Sequence, residues 1–77
     1  MGDKVKKILQ NSNNVRFNDL YKICVKYFGE PRISGSHHVF NTPWFSDPRV
    51  NIQNKNGMSK PYQVKIVIKA IEKLELN

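Results

Sequence analysis

Arg49-Val50-Asn51-Ile52-Gln53-Asn54-Lys55-Asn56-Gly57-Met58-Ser59-Lys60-Pro61 is the stretch whose reading decides the fold. Val50 and Ile52 alternate with polar neighbours, the period-two pattern of a strand with one buried and one solvated face. Lys55-Asn56-Gly57 turns the chain, and Pro61 suits the first turn of a helix that starts at Ser59 or Lys60. Val64, Val67, Ile68, Ile71 and Leu74 mark that helix's buried face, while Lys65, Lys69 and Lys73 recur on another side. A half-solvated strand that gives way to an amphipathic helix predicts helices packed on one face of a sheet.

Working towards the N-terminus, Thr42 to Pro48 is a proline-bounded loop carrying Trp44 and Phe45. These aromatics either cover the edge of a thin core or offer a stacking surface for an unpaired base or a contact for a partner protein. Ser36 to Asn41 reads as a second strand and Arg32-Ile33-Ser34 as a first; the hairpin register around Gly35 stays open. Before them, Asn18 is the expected N-cap of a helix with Phe17 as a hydrophobic staple, and Leu20, Ile23 or Cys24, and Tyr27 share one face up to Gly29. Asn11 to Asn14 has turn composition, and Asp3 to Gln10 reads as a short amphipathic helix. The expected class is α+β, a two-layer fold in the order α-β-β-β-α with a short extra N-terminal helix.

With 77 residues the chain is one domain, and a chain this small buries only about 60% of its unfolded surface. Such a core has no room for a deep cofactor cleft, so chemistry on the surface of a large substrate is expected and no cofactor is. The formal charge of +7 sets up a field that draws in polyanions, nucleic acid first and an acidic protein second. Cys24 stands alone among Ile23, Val25, Tyr27 and Phe28, which excludes an internal disulfide and reads as a buried free thiol. Nothing after Lys4, Lys6 and Lys7 resembles a secretory h-region, and no apolar run approaches the roughly 20 residues that span a bilayer. No membrane association is expected, and the cytoplasm is the expected location.

Both histidines fall in Gly35-Ser36-His37-His38-Val39-Phe40. Successive strand side chains point to opposite faces, so His37 and His38 do not share a pocket. Histidine moves protons near neutral pH, and Ser36, Gly35 and Arg32 lie close in sequence to His37 to add a hydroxyl, open backbone and a positive charge. An ordinary hairpin edge has the same composition. Metal binding is not expected: the histidines diverge, no cysteine pair exists, and the six acidic residues are scattered.

Gly35-Ser36-His37, Phe40, the strand Arg49 to Gln53 and Lys60-Pro61-Tyr62-Gln63-Val64, in that order and spacing, resemble the HicA family of bacterial toxin ribonucleases over roughly residues 17 to 75. The resemblance implies a double-stranded-RNA-binding-domain-like fold, cleavage of messenger RNA and related transcripts, and silencing by a HicB-type antitoxin. It places the family's essential histidine on His37. Residues 1 to 10 and the aromatic loop depart from a minimal member.

RNA cleavage needs no metal, because the 2′-hydroxyl is a nucleophile built into the substrate; the protein supplies proton transfer and stabilises charge at phosphorus. His37 is the expected general acid/base, with Ser36 and Gly35 beside it. Lys60 and Lys65 at the start of the last helix are the leading RNA-backbone contacts, with Arg32 near the scissile phosphate and Lys22 and Lys26 as a further cationic pair. Trp44 and Phe45 are the expected partner-binding residues. The alternative is a module that binds double-stranded RNA without cutting it.

Overall fold

The computed structural model describes residues 1–76. Three helices, α1 (Asp3–Leu9), α2 (Phe17–Phe28) and α3 (Pro61–Glu75), accompany four strands, β1 (Arg32–Ser34), β2 (His37–Phe40), β3 (Val50–Lys55) and β4 (Met58–Ser59). The strands form one antiparallel sheet in the order β1-β2-β3-β4. The α+β class holds.

The sheet has one strand more than the three expected. Asn56 (φ 53°) and Gly57 (φ 85°) both adopt positive φ, the pattern of a two-residue type I′ turn, and Gly57 N–H donates to Asn54 Oδ1 at 2.6 Å. The chain therefore returns through Met58 and Ser59 beside β3 before the helix begins. The returning segment also holds the residues ahead of α2: Ser59 N–H donates to Val15 O, and Phe17 N–H donates to Gly57 O. This second bond corrects the expected cap. With Phe17 N–H already satisfied, α2 starts at Phe17 with Arg16 in the N-cap position and no side-chain cap, so neither Asn18 nor a Phe17 staple opens the helix.

At the β1–β2 hairpin, Ser34 pairs with His37, leaving Gly35-Ser36 as the turn. Gly35 has φ 60° while Ser36 does not turn positive, the sign pattern of a type II′ turn. The first central position of that turn calls for glycine, which accounts for Gly35 structurally.

Both α2 and α3 pack on one face of the sheet. Their Leu20, Ile23, Cys24, Val64, Val67, Ala70 and Ile71 meet Phe40, Val50 and Ile52 from the strands. The register pairs Phe40 with Val50 and His38 with Ile52 on that face. Val5 and Leu9 of α1 join the same core together with Val15, so the N-terminal helix is a packed part of the fold. Burial pushes the Cys24 thiol up to about 12, since a thiolate would lose its hydration there.

Ile52 is fully buried between the helices and the sheet, so Ile52→Ala is expected to destabilise the chain by about 2–5 kcal/mol, read by urea denaturation. Cys24 is expected to ignore a thiol reagent at pH 8 until denaturant is added. Because its folded value lies above the unfolded one, its contribution to stability is complete below about pH 9 and is lost as pH rises towards 12. A denaturation midpoint that rises across that alkaline window in the wild type relative to Cys24→Ala would contradict this sign.

Candidate active site

The two histidines do take opposite faces. His38 turns towards the helices, its ring edge-on to Phe17 at 5.0 Å and to Tyr21 at 5.6 Å between centroids. Its Nδ1 is buried without a hydrogen-bond partner among the described residues. His37 is exposed on the sheet face that the helices leave open.

The strand register surrounds His37 with polar groups. Gln53 stands directly opposite on β3, and Asn51 stands two pairs further along, opposite Val39 and on the same face. The Asn51 carboxamide lies against His37 Nδ1, with Oδ1 at 3.2 Å and Nδ2 at 3.1 Å, so one of these two atoms makes the bond. His37 Nε2 is 3.4 Å from Gln53 Nε2, which also donates to Ser36 Oγ at 3.4 Å.

The other end of the Gln53 side chain reaches α3. Gln53 Oε1 accepts from Lys60 Nζ and from Gln63 Nε2, both at 3.1 Å. Gln63 is 3% exposed; its Oε1 accepts the Gln53 backbone N–H at 2.8 Å, and its Nε2 also donates to Tyr62 Oη at 3.3 Å. Residues from the β1–β2 turn, β2, β3 and the start of α3 thus form one hydrogen-bonded cluster. Its ammonium group belongs to Lys60.

Of the residues expected from sequence, this cluster brings together His37, Ser36 and Lys60. Gly35 shapes the turn that presents Ser36. Arg32 pairs with Val39 and is exposed, two residues along the same strand from Ser34, the residue opposite His37. It therefore shares the His37 face while making no hydrogen bond to the cluster. Lys65 is not brought in: it borders a shallow surface groove with Ile66, Lys69 and Glu72 on α3. Lys22 and Lys26 belong to the helical layer, beside Lys4 and Asp19 in a groove between α1 and α2.

The loop aromatics separate. Trp44 is half-buried against the core; its Nε1–H donates to Pro48 O at 2.7 Å, and Lys73 Nζ sits 4.7 Å from its ring centroid. Phe45, next in sequence, is 100% exposed. Trp44 anchors the loop and Phe45 faces outward.

Sequence reasoning missed Asn51, Gln53 and Gln63 as members of the site. The alternation in β3 had placed Asn51 and Gln53 on the solvated face, but the register that sets them against His37 is a pairing between strands. Gln63 was hidden by its place next to apolar Val64 in a helix read for its buried stripe. Among the described residues no three His, Cys, Asp or Glu side chains lie together as a metal-binding group, and no helix is long and apolar enough to cross a membrane.

Comparison with protein-family models, with curated proteins and with solved structures returned no match.

His38→Ala is expected to lower the melting temperature, with a loss of about 1 kcal/mol from the two aromatic edge contacts, while the His37 cluster stays intact. His38→Phe should recover most of that stability. A cross-peak pattern for His37, Asn51 and Gln53 that shifts as much in His38→Ala as in His37→Ala would count against the separation of the two faces.

Proposed function

We propose that the chain is a metal-independent endoribonuclease in which His37 is the general base, and that it acts as a HicA-type toxin. The observation that carries this reading is the placement of His37. It is an exposed imidazole on an open sheet face, in a Gly-Ser-His turn, hydrogen-bonded into a neutral amide cluster that includes one ammonium group. A histidine kept only for packing, as His38 is, has no use for solvent or for a cation beside it. The order of helices around the antiparallel sheet is consistent with a double-stranded-RNA-binding-domain-like arrangement, here with a short fourth strand.

In the proposed reaction His37 takes the proton of a substrate 2′-hydroxyl. The 2′-oxygen bonds to phosphorus, the bond to the 5′-oxygen breaks, and the leaving 5′-oxygen takes a proton from solvent. The products are a 2′,3′-cyclic phosphate and a 5′-hydroxyl. Lys60 supplies positive charge for the phosphate beside the base, and Arg32 extends that charge along the same face. Lys65, Lys22 and Lys26 contribute to the overall field that brings RNA to the surface.

None of the Asp and Glu side chains lies on a strand of the sheet, so the strands place no like charge against a polyanion on the open face. The same face suits an acidic HicB-type antitoxin. Such a partner silences the enzyme by covering His37 and pairing with Lys60, with Phe45 available at the rim. Complementary charge speeds that association.

The purified chain is expected to cut RNA in EDTA and to leave cyclic or 3′-phosphate ends. His37→Ala should abolish cutting with RNA affinity kept, whereas His38→Ala should keep most of the activity that its folded fraction allows. Products with 3′-hydroxyl ends, or full activity in folded His37→Ala, would exclude this chemistry; binding unchanged with no cutting by the wild type would leave the non-catalytic RNA-binding module. Lys60→Glu is expected to weaken binding to different RNA sequences alike and to flatten its salt dependence, measured by fluorescence anisotropy.

A further inference from the structure

We propose that Gln53 and Gln63 are positioning residues that set the tautomer of His37, placing its proton on Nδ1 and leaving Nε2 as the basic atom. The proposal rests on His37 acting as the base.

The assignment follows from groups whose roles are unambiguous. A backbone N–H can only donate, so the Gln63 atom 2.8 Å from Gln53 N is the carbonyl oxygen. The Gln63 amide nitrogen therefore faces Gln53, and the atom it meets there at 3.1 Å accepts, which makes it Gln53 Oε1. Lys60 Nζ, also purely a donor, lies 3.1 Å from the same Gln53 atom and requires the same orientation. Two independent donors thus turn the Gln53 NH₂ group towards His37 and Ser36.

That NH₂ group has two N–H bonds and two neighbours, Ser36 Oγ and His37 Nε2, each at 3.4 Å. A neutral imidazole facing an N–H donor must present its lone pair, so Nε2 is unprotonated and Nδ1 carries the hydrogen. Nδ1–H then donates to Asn51, which identifies the 3.2 Å Oδ1 contact as the bond between these residues. Free neutral histidine favours the opposite form, with hydrogen on Nε2. The protein therefore selects the minor tautomer.

The length of the Gln53 contact also matters. At 3.4 Å it is beyond the usual N–H bond length, so it holds the tautomer and yields readily to a 2′-hydroxyl. That hydroxyl gives its proton to Nε2 as its oxygen bonds to phosphorus, while Asn51 holds the developing imidazolium through Nδ1–H. Lys60 lies on the far side of Gln53, close enough to orient the amide and to place positive charge near a phosphate bound at the same edge.

The test is ¹⁵N NMR of the full chain labelled at histidine, at a pH high enough for both imidazoles to be neutral, with His37 assigned by its loss in His37→Ala. Nitrogen shifts and two-bond couplings are expected to show His37 protonated on Nδ1. In Gln53→Glu one carboxylate oxygen keeps Lys60 and Gln63, while the other faces Nε2 and accepts from it. The tautomer should flip to Nε2–H, and kcat at saturating RNA should fall about a hundredfold or more. Gln53→Ala, with no partner at Nε2, should return His37 to the mixture of free histidine and stay within about tenfold of wild-type kcat. Circular dichroism checks that both variants fold.

A wild-type His37 protonated on Nε2 would overturn the proposal, and so would a Gln53→Glu chain whose tautomer flips while kcat holds. Failure of the wild-type chain to cut any RNA would overturn the enzymatic reading and with it the role of Nε2 as a base, whereas the spectrum decides the tautomer by itself.

Discussion

The pairing of β2 with β3 is the constraint on which the rest depends. His38 and Phe40 meet Ile52 and Val50 on the helix side, and by the same register His37 meets Gln53 and Asn51 on the open side. A slip of β3 by one residue would turn Asn51 and Gln53 into the core and Val50 and Ile52 out of it. Hydrophobic burial on one face thus enforces polar geometry on the other. The two tight turns, Gly35-Ser36 and Asn56-Gly57, pair the outer strands β1 and β4 onto this central pair, their positive φ angles matching the twist of the strands they join.

Around that sheet the small core is assembled from every element of the helical layer. Val5 and Leu9 from α1 extend a cluster that α2, α3 and the two central strands would otherwise leave thin. The bonds from Ser59 to Val15 and from Phe17 to Gly57 bind the start of α2 to the β3–β4 hairpin. The start of α3 is held in turn by its buried Gln63 against the β3 backbone. Gln63 therefore has two physical tasks: it satisfies a backbone donor at the edge of the core, and it carries orientation from that donor to the half-buried side chain of Gln53. A buried carboxamide with its groups paired can do this because its two ends are chemically different.

The distribution of charge follows the same division. Carboxylates sit on helices and loops, while the face that carries His37 has Arg32, Lys55 and Lys60. A net charge of +7 alone would draw polyanions to the whole molecule; the sheet concentrates the usable part of it beside an imidazole. Lys65, Lys22 and Lys26 show the limit of reading charge along a chain, since each occupies the helical layer and none joins the cluster.

The α+β class, the helix positions and the opposed histidines were legible in the residues, because helical and strand periodicities are local and the inner and outer positions of β3 alternate in plain view. The Asn-Gly pair that makes the type I′ turn was also present, but the short β4 it produces has too few residues to show an alternation of its own. The N-cap of α2 was displaced by a hydrogen bond to Gly57, forty residues away in sequence. For the site, sequence determined that His37 would face solvent if His38 did not, and that Asn51 and Gln53 would share one side of their strand. Only the tertiary structure decided that these sides coincide, and that Lys60 and Gln63 reach back to the same amide. Such contacts depend on how strands pair and where a helix returns, and a hydrogen bond that must choose between the two ends of a carboxamide leaves no trace in composition or period.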